Sequence, residues 1–266
     1  MTQKIQRRDF IASSLAAGAA MATAGQSAPD NGADTAARQE LIELRVYRNT
    51  DPAKQTLVVD FVENALRPAL ERQGIDRIGT FKPSDKKDAS VYVVLPYTKA
   101  GQVVVQNDLL NGDKAYNEAA ADYFSKPRKD PAYTRIESRL MRAFAGMESL
   151  VPPSSESPSR LLELRIYESH NERLAKLKVE MFNEGEIDIM RDVDLGPVFF
   201  GESLISNDLP NLTYMLSADS ADAHKKHWAA FIAHPDWKRM SGMERYKGTV
   251  SKITSVMLTP TAASQV

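Results

Sequence analysis

The residues best suited to chemistry in this sequence form one pattern that occurs twice. It is a glutamate, an arginine and a tyrosine at alternate positions: Glu43, Arg45 and Tyr47 (the first triad), then Glu163, Arg165 and Tyr167 (the second triad). Alternate residues of a β-strand lie on one face, about 7 Å apart, so the glutamate can orient the arginine. The arginine could hold a carboxylate or oxyanion, the glutamate could act as a base, and the tyrosine could donate to a developing enolate. The alternative is a structural ion pair that sets strand register, and both interpretations stay open.

Histidines and acids offer weaker signals. His224 and His227 are three residues apart on a predicted helix, a spacing that could hold a metal. They lie in a strongly charged stretch without a suitably spaced acidic ligand, so we expect a solvated helix face and no metal site. The acidic run from Glu184 to Asp194 lacks the ligand spacing of a calcium loop and is also expected to face solvent. Trp228 is expected to pack in the core.

The elements that must position these residues form an internal repeat. The strand Leu41–Tyr47 recurs 120 residues later as Leu161–Tyr167. This spacing is too long for a solenoid repeat and suits two copies of one small domain. In each copy the hydrophobic pattern predicts the order β-α-β-β-α-β, which is that of ferredoxin-like units.

We therefore predict an α+β fold in which two tandem ferredoxin-like repeats form an intramolecular α/β barrel. Helices cover one face of each sheet, and the two remaining faces meet to close the barrel. In this arrangement both triads point into the barrel, and His170, which follows the second triad, lies near the barrel mouth. An interior lined with charges is unusual for a packed core, because buried ions are costly unless they are paired.

Two motifs resemble the NIPSNAP family, whose members are similar to the dimeric α/β-barrel superfamily. They are the repeated Glu-Leu-Arg-x-Tyr strand and Trp228-Ala229-Ala230-Phe231 followed by His234-Pro235-Asp236-Trp237-Lys238. The resemblance extends over nearly all of residues 41–258 and is stronger in the second repeat. It implies the fold and no settled activity. Because the second repeat has the fuller pattern, the second triad with His170 is the preferred ligand-binding set.

The resemblance also implies an insertion in the first repeat. Only Asp130-Pro131-Ala132-Tyr133 remains there of the second motif. With Pro131 matched to Pro235, the offset between the repeats falls from 121 to 104 residues. The first repeat would then have about 17 additional residues in its second helical region.

The start of the chain is predicted to be an export signal. Arg7 and Arg8 directly precede a mildly apolar stretch, and Ala22-Thr23-Ala24 supplies a cleavage site of small residues. This layout is typical of a twin-arginine signal over residues 1–24. An ordinary secretory signal or a disordered tail with a chance arginine pair is the alternative. The mature protein is therefore expected to be periplasmic or secreted.

Composition sets the remaining boundaries and partners. We predict a flexible tether at 25–39, a first domain at 40–150, a Pro/Ser linker at 151–159 and a second domain at 160–260. The chain has no cysteine, which excludes disulfides and thiolate metal sites. Removing Lys4, Arg7, Arg8 and Asp9 with the signal changes 34 basic and 35 acidic residues to 31 and 34, a net charge of −3. We expect neither a nucleic-acid partner nor a membrane span, and a homodimer is left open.

Three functions fit these features. The leading hypothesis is a protein that binds a small, partly apolar molecule in the barrel interior, with no bound cofactor. The second is an enzyme without a cofactor that carries out proton transfer or oxygenation in the same cavity, as the barrel superfamily implies. The third is an interaction module with a filled barrel. An open cavity favours the first two, and a barrel packed shut favours the third.

Overall fold

Eight antiparallel β-strands form a closed barrel in the computed structural model, which describes residues 39–155 and 157–266. The strands are β1 (Leu41–Arg48), β2 (Gly79–Pro83), β3 (Val91–Tyr97), β4 (Arg135–Ala143), β5 (Leu161–Glu168), β6 (Pro197–Ile205), β7 (Asn211–Ala218) and β8 (Lys252–Pro260). The predicted signal and residues 25–38 of the predicted tether lie outside the described residues. Within the described residues, no helix is long and apolar enough to cross a bilayer.

Each repeat contributes one four-stranded half of the barrel. The strand order is β4-β1-β3-β2 in the first repeat and β8-β5-β7-β6 in the second, which is the ferredoxin-like order. The halves join at two seams, where β2 pairs with β8 and β4 pairs with β6. The predicted fold of two tandem units in one barrel is confirmed.

The helices of the first repeat cover the outside of its half-barrel. They are α1 (Pro52–Phe61), α2 (Arg67–Arg72), α3 (Ala100–Gly112), α4 (Lys114–Ala119) and α5 (Ala121–Phe124). A π-helical turn, Val62–Leu66, joins α1 to α2. The Asp51 side chain accepts a hydrogen bond from the backbone N–H of Ala53, and Pro52 is the first helical residue, so the local sequence starts α1 at this point.

The helices of the second repeat follow the same plan. They are α6 (Glu172–Met181), α7 (Ile187–Asp192), α8 (Ala221–Ala233) and α9 (Pro235–Ser241). The π-helical turn recurs 120 residues later as Phe182–Glu186, between α6 and α7. Asn171 caps α6 by accepting a hydrogen bond from the backbone N–H of Leu174.

The predicted insertion of about 17 residues is wrong. From the end of β3 at Tyr97 to the start of β4 at Arg135 is 38 positions, and from Ala218 to Lys252 in the second repeat is 34. The first repeat is therefore four residues longer here. Pro235 starts α9, whose counterpart α4 starts at Lys114, whereas Pro131 lies after the last helix of its repeat and four positions before β4. Matching Pro131 to Pro235 therefore aligned two residues that belong to different parts of the repeats.

The barrel interior is apolar and closed at one end. Its buried side chains alternate along the strands and include Ile42, Leu44, Val46, Phe81, Val94, Leu162, Leu164, Phe199, Met215 and Leu258. Leu150 from the inter-repeat segment and Val266 from the segment after β8 complete this cluster, each 1% exposed. Gly79 lets the segment after β8 approach closely, because a Cβ at position 79 would lie 3.2 Å from the Cβ of Val266.

The prediction that the triads point into the barrel is wrong. Glu43, Arg45, Tyr47 and their repeats Glu163, Arg165, Tyr167 lie on the opposite face of each sheet, beneath the helices. The reason is hydrogen bonding. The middle and the closed end of the interior are filled by aliphatic and aromatic side chains that cannot satisfy an ion, whereas the helices supply amide, imidazole and indole partners.

Candidate functional site

In the second repeat, Glu163 is the centre of a dense hydrogen-bond network. Its Oε1 accepts from Arg165 Nη1 at 3.0 Å and from Ser255 Oγ at 2.6 Å. Its Oε2 accepts from Trp228 Nε1 at 2.8 Å and lies 2.9 Å from His224 Nε2. Helix α8 therefore presents its aromatic and imidazole groups to the sheet, and the expected solvated position of His224 is wrong.

The network keeps Glu163 ionised. Burial by itself raises the pKa of Glu163, but the hydrogen bonds from His224 and Ser255 and the positive charge of Arg165 outweigh it and lower the pKa to about 2. The Arg165 guanidinium is covered by the Trp228 ring, 4.6 Å from its centroid, and by the Tyr167 ring at 5.4 Å. The second triad is thus largely covered, and the Arg165 side chain is 18% exposed.

A buried ion pair also lies in the second repeat. Lys178 Nζ donates to Glu186 Oε2 at 2.6 Å, and the two side chains are only 5% and 2% exposed. Burial raises the pKa of Glu186, against the charge of Lys178. The expectation of a solvated acidic run holds for Glu184, Asp188, Asp192 and Asp194 and is wrong for Glu186.

In the first triad, Glu43 is likewise the centre of a hydrogen-bond network, with some different partners. Glu43 accepts from Arg45 Nε at 2.8 Å and Nη2 at 2.9 Å, from Ser138 Oγ at 2.8 Å and from the Tyr97 hydroxyl at 2.8 Å. Gln106 of α3 donates to the Tyr97 oxygen at 2.6 Å and accepts from Arg45 Nη2 at 3.0 Å. Burial opposes ionisation of Glu43, but Arg45 and the hydroxyl donors lower its pKa.

Sequence reasoning missed the two serines of these networks. Ser138 pairs with Arg45 across β1 and β4, and Ser255 pairs with Arg165 across β5 and β8. Each donates to its glutamate, so the serine is a fourth repeated member of each site. Its recurrence in the last strand of both repeats was a usable signal, whereas nothing in the sequence marked Tyr97 or Gln106.

The barrel retains a cavity of about 300 Å³ at its open end. Its floor is aliphatic, and its rim is charged. The floor residues are Leu44, Val46, Leu164, Ile166 and Val256. The rim pairs are Arg48 with Glu137 at 2.7 Å, Arg139 with Asp208 at 2.8 Å and Lys252 with Glu168 at 2.6 Å. His170 is exposed and is not among the residues that line this cavity.

A second cavity, of about 360 Å³, lies between the sheet and the helices of the first repeat. Arg45 and Tyr47 of the first triad line it, together with aromatic side chains from the helices. Over residues 39–155 and 157–266, no group of three or more histidine, aspartate or glutamate side chains is placed to hold a metal ion.

The lowered pKa of Glu163 predicts an acid-sensitive second repeat. A carboxylate whose folded pKa lies below its ordinary value of 4.5 stabilises the fold above that value, and this contribution is lost as the pH falls toward about 2. We expect the ionised Glu163 to contribute about 2 kcal/mol to the free energy of unfolding, since solvent screens part of the pKa shift. Urea unfolding at several pH values should therefore show a flatter acid limb for Glu163→Gln than for the wild type. The exposed Glu118→Gln variant controls for the loss of one carboxylate, and equal limbs for Glu163→Gln and wild type would contradict the assignment.

Comparison with known proteins finds a family match in the second repeat and a likeness of fold over the whole barrel. The NIPSNAP family model matches residues 162–265, which confirms the predicted resemblance in the second repeat. A NIPSNAP-like domain protein from Burkholderia xenovorans is 17% identical and covers 39% of this chain and 87% of that chain, with a TM-score of 0.36. No protein among the curated sequences matches this chain.

Two solved structures resemble the whole barrel. A candidate monooxygenase from Fusobacterium nucleatum is 8% identical with a TM-score of 0.55, covering 84% of this chain and 92% of that chain. A candidate monooxygenase from Lactobacillus acidophilus is 11% identical with a TM-score of 0.56, covering 84% and 94%. At these identities the likeness is one of fold alone.

Proposed function

Taking as premise a NIPSNAP domain at residues 162–265 within a two-repeat α/β barrel, we propose that the protein binds a small, largely apolar and uncharged molecule in the open end of the barrel. The observation that carries this proposal is the unequal filling of the interior. One end is sealed by Leu150 and Val266, while the other keeps a cavity of about 300 Å³ with an aliphatic floor. This volume is at the lower end of the range of small-molecule sites.

The charges at the rim favour a neutral ligand. Three cations and three anions line the cavity, and each is engaged in an ion pair. Arg139 is further held by Asn211 and is only 13% exposed. A charged ligand would have to break one of these pairs, whereas a neutral one with a hydroxyl or carbonyl head would not. The Tyr92 hydroxyl and Thr254 offer hydrogen bonds to such a head.

The other two hypotheses have less support. A filled interaction module requires a barrel packed shut at both ends, and the cavity argues against it. Two structures of similar fold have names that point to oxygenation, and that reaction in this cavity is the alternative activity. Proton transfer by the rim residues is less favoured, because each ionised side chain already has a partner.

We also propose that the protein acts outside the cytoplasmic membrane. This rests on Arg7 and Arg8 before the apolar stretch and on the cleavage site ending at Ala24.

Filling the barrel cavity should abolish binding. Because the natural ligand is unidentified, the probes are 1-octanol, octanoate and octylammonium, titrated calorimetrically. We expect the alcohol to bind at least tenfold more tightly than either ion, or about 1.4 kcal/mol. Ile166→Trp, which places a large ring on the cavity floor, should remove octanol binding.

The matched control is Ile253→Trp, since Ile253 is a neighbouring, half-exposed residue that does not line the cavity. Equal binding by the two tryptophan variants, or tighter binding of octanoate than of octanol, would refute the proposal.

A further inference from the structure

The spaces beneath the helices differ between the two repeats, although their backbones match. Helix α3 starts at Ala100 and α8 starts 121 residues later at Ala221, so Asn107 occupies the position of Trp228. In the sheet, Val93 lies opposite Arg45 where Tyr214 lies opposite Arg165. The second repeat therefore fills its space with a tryptophan and a tyrosine. The first repeat, with smaller residues at both positions, keeps the cavity of about 360 Å³.

The walls of this cavity are mostly aromatic. The Phe61 and Tyr123 rings stack with centroids 3.8 Å apart, and Tyr133 meets Tyr47 edge to face at 5.9 Å. Tyr116 also lines the cavity. Its ring makes an edge contact with the ring of Phe124, and the two centroids are 5.8 Å apart. Such walls offer faces and edges to another planar ring.

Hydrogen-bond donors also line the same space. Tyr47, Tyr116 and Tyr123 are 2%, 6% and 9% exposed, yet their hydroxyls make no well-aligned hydrogen bond with any described residue. Arg45 uses Nε and Nη2 for Glu43 and Gln106, and its guanidinium also lies close to the Tyr47 hydroxyl. In the second repeat the equivalent tyrosine is satisfied, since the Tyr214 hydroxyl donates to that of Tyr167 at 2.8 Å. These hydroxyls belong to residues that line the cavity and are not among the fully enclosed atoms without a partner, so they are available to a bound molecule.

These donors specify what the cavity can recognise. Burial raises the pKa of Tyr47 and raises that of Tyr116 to about 12, so the phenols stay protonated and can donate. The arginine also donates. The complementary group is an oxygen acceptor on an aromatic ring.

We propose that the space beneath the helices of the first repeat is a second ligand site, which binds an aromatic molecule carrying a carbonyl or carboxylate oxygen. The ring lies among Phe61, Tyr123 and Tyr133, and the oxygen accepts from Arg45 Nη1 and the tyrosine hydroxyls. The site is separate from the barrel cavity, because Arg45 and Tyr47 lie on the opposite sheet face from Leu44 and Val46. The first triad, and not the preferred second one, is then the ligand-binding copy.

The test is calorimetric titration of the full chain with 2-naphthoate, 2-acetonaphthone and naphthalene. One molecule of naphthoate or acetonaphthone should bind per chain, at least tenfold more tightly than naphthalene. The tighter of the two oxygenated probes identifies the acceptor as a carboxylate or a carbonyl. Equal affinity for all three probes would overturn the proposal, because it would mean that the donors recognise nothing.

The decisive variant is Asn107→Trp, which introduces the residue of the second repeat. Asn107 is exposed, so the fold should tolerate the change, and naphthoate affinity should fall at least twentyfold. Val104 lies on the same helix and is 79% exposed, so Val104→Trp should leave naphthoate affinity unchanged. Tyr47→Phe, which removes one donor, should weaken the oxygenated probes and not naphthalene, and it decides the matter if Asn107→Trp fails to fold.

Octanol titrations separate this site from the barrel cavity. Asn107→Trp should leave octanol binding intact, and Ile166→Trp should leave naphthoate binding intact. Loss of naphthoate binding in Ile166→Trp would place both probes in the barrel and overturn the second site. Failure of octanol to bind at all, with naphthoate binding retained, would overturn only the proposed function.

Discussion

Replacing Lys178 by valine is expected to lower the free energy of unfolding by about 3–5 kcal/mol. Lys178 and Glu186 are joined at 2.6 Å and are almost completely buried, so removing the lysine leaves a carboxylate without its partner in an apolar site. Urea unfolding at neutral pH measures the loss. The control is Lys176→Val. Lys176 is 68% exposed and its Nζ lies 3.7 Å from Glu202 Oε1, and a surface pair of this kind contributes about 0–1 kcal/mol.

The double variant Lys178→Val/Glu186→Leu should recover most of that loss. The first repeat has Val58 and Leu66 at the same positions, 120 residues earlier, and buries both. An apolar pair of suitable volume is often as stable as a buried ion pair, because no desolvation cost remains. The double-mutant cycle with Lys178→Val and Glu186→Leu therefore predicts strong coupling. Additive losses would show that the two side chains do not act as a pair.

The two triad arginines should both be structural, with losses of different size. Arg45→Met and Arg165→Met each remove the cationic partner of a buried glutamate, and we expect each to cost about 3–5 kcal/mol near pH 8. In the second repeat, Glu163 keeps Ser255, Trp228 and His224 as hydrogen-bond partners when the arginine is removed. The first repeat offers Glu43 only the hydroxyls of Ser138 and Tyr97 as remaining partners.

The loss in Arg165→Met should therefore be smaller than the loss in Arg45→Met, because Glu163 keeps more hydrogen-bond partners than Glu43. Thermal and urea unfolding of the two variants side by side check this. A loss below about 1 kcal/mol in either single variant would mean that its triad is not structural. Equal losses would mean that the additional partners of Glu163 do not compensate for the missing arginine.

The repeat in the sequence was sufficient to predict the fold. Two copies of Glu-Leu-Arg-x-Tyr, each followed by the same order of periodic segments, specify two ferredoxin-like units, and two such units have one simple way to cover their sheets. Strand alternation also separated Ile42, Leu44 and Val46 from Glu43, Arg45 and Tyr47 correctly. These inferences succeed because side-chain period and element order are local properties of a chain.

The sequence could not decide which of the two faces enters the barrel. Alternation distinguishes the faces without orienting them, and that choice depended on the helices, since only they supply Gln106, His224 and Trp228 as partners for the buried charges. The same holds for Lys178 and Glu186, which look like members of charged runs until a π-helical turn brings them together in the core. Burial and hydrogen bonding are decided between elements far apart in sequence. The aromatic cavity of the first repeat, which depends on Asn107 replacing a tryptophan above Arg45, was therefore visible only in the tertiary structure.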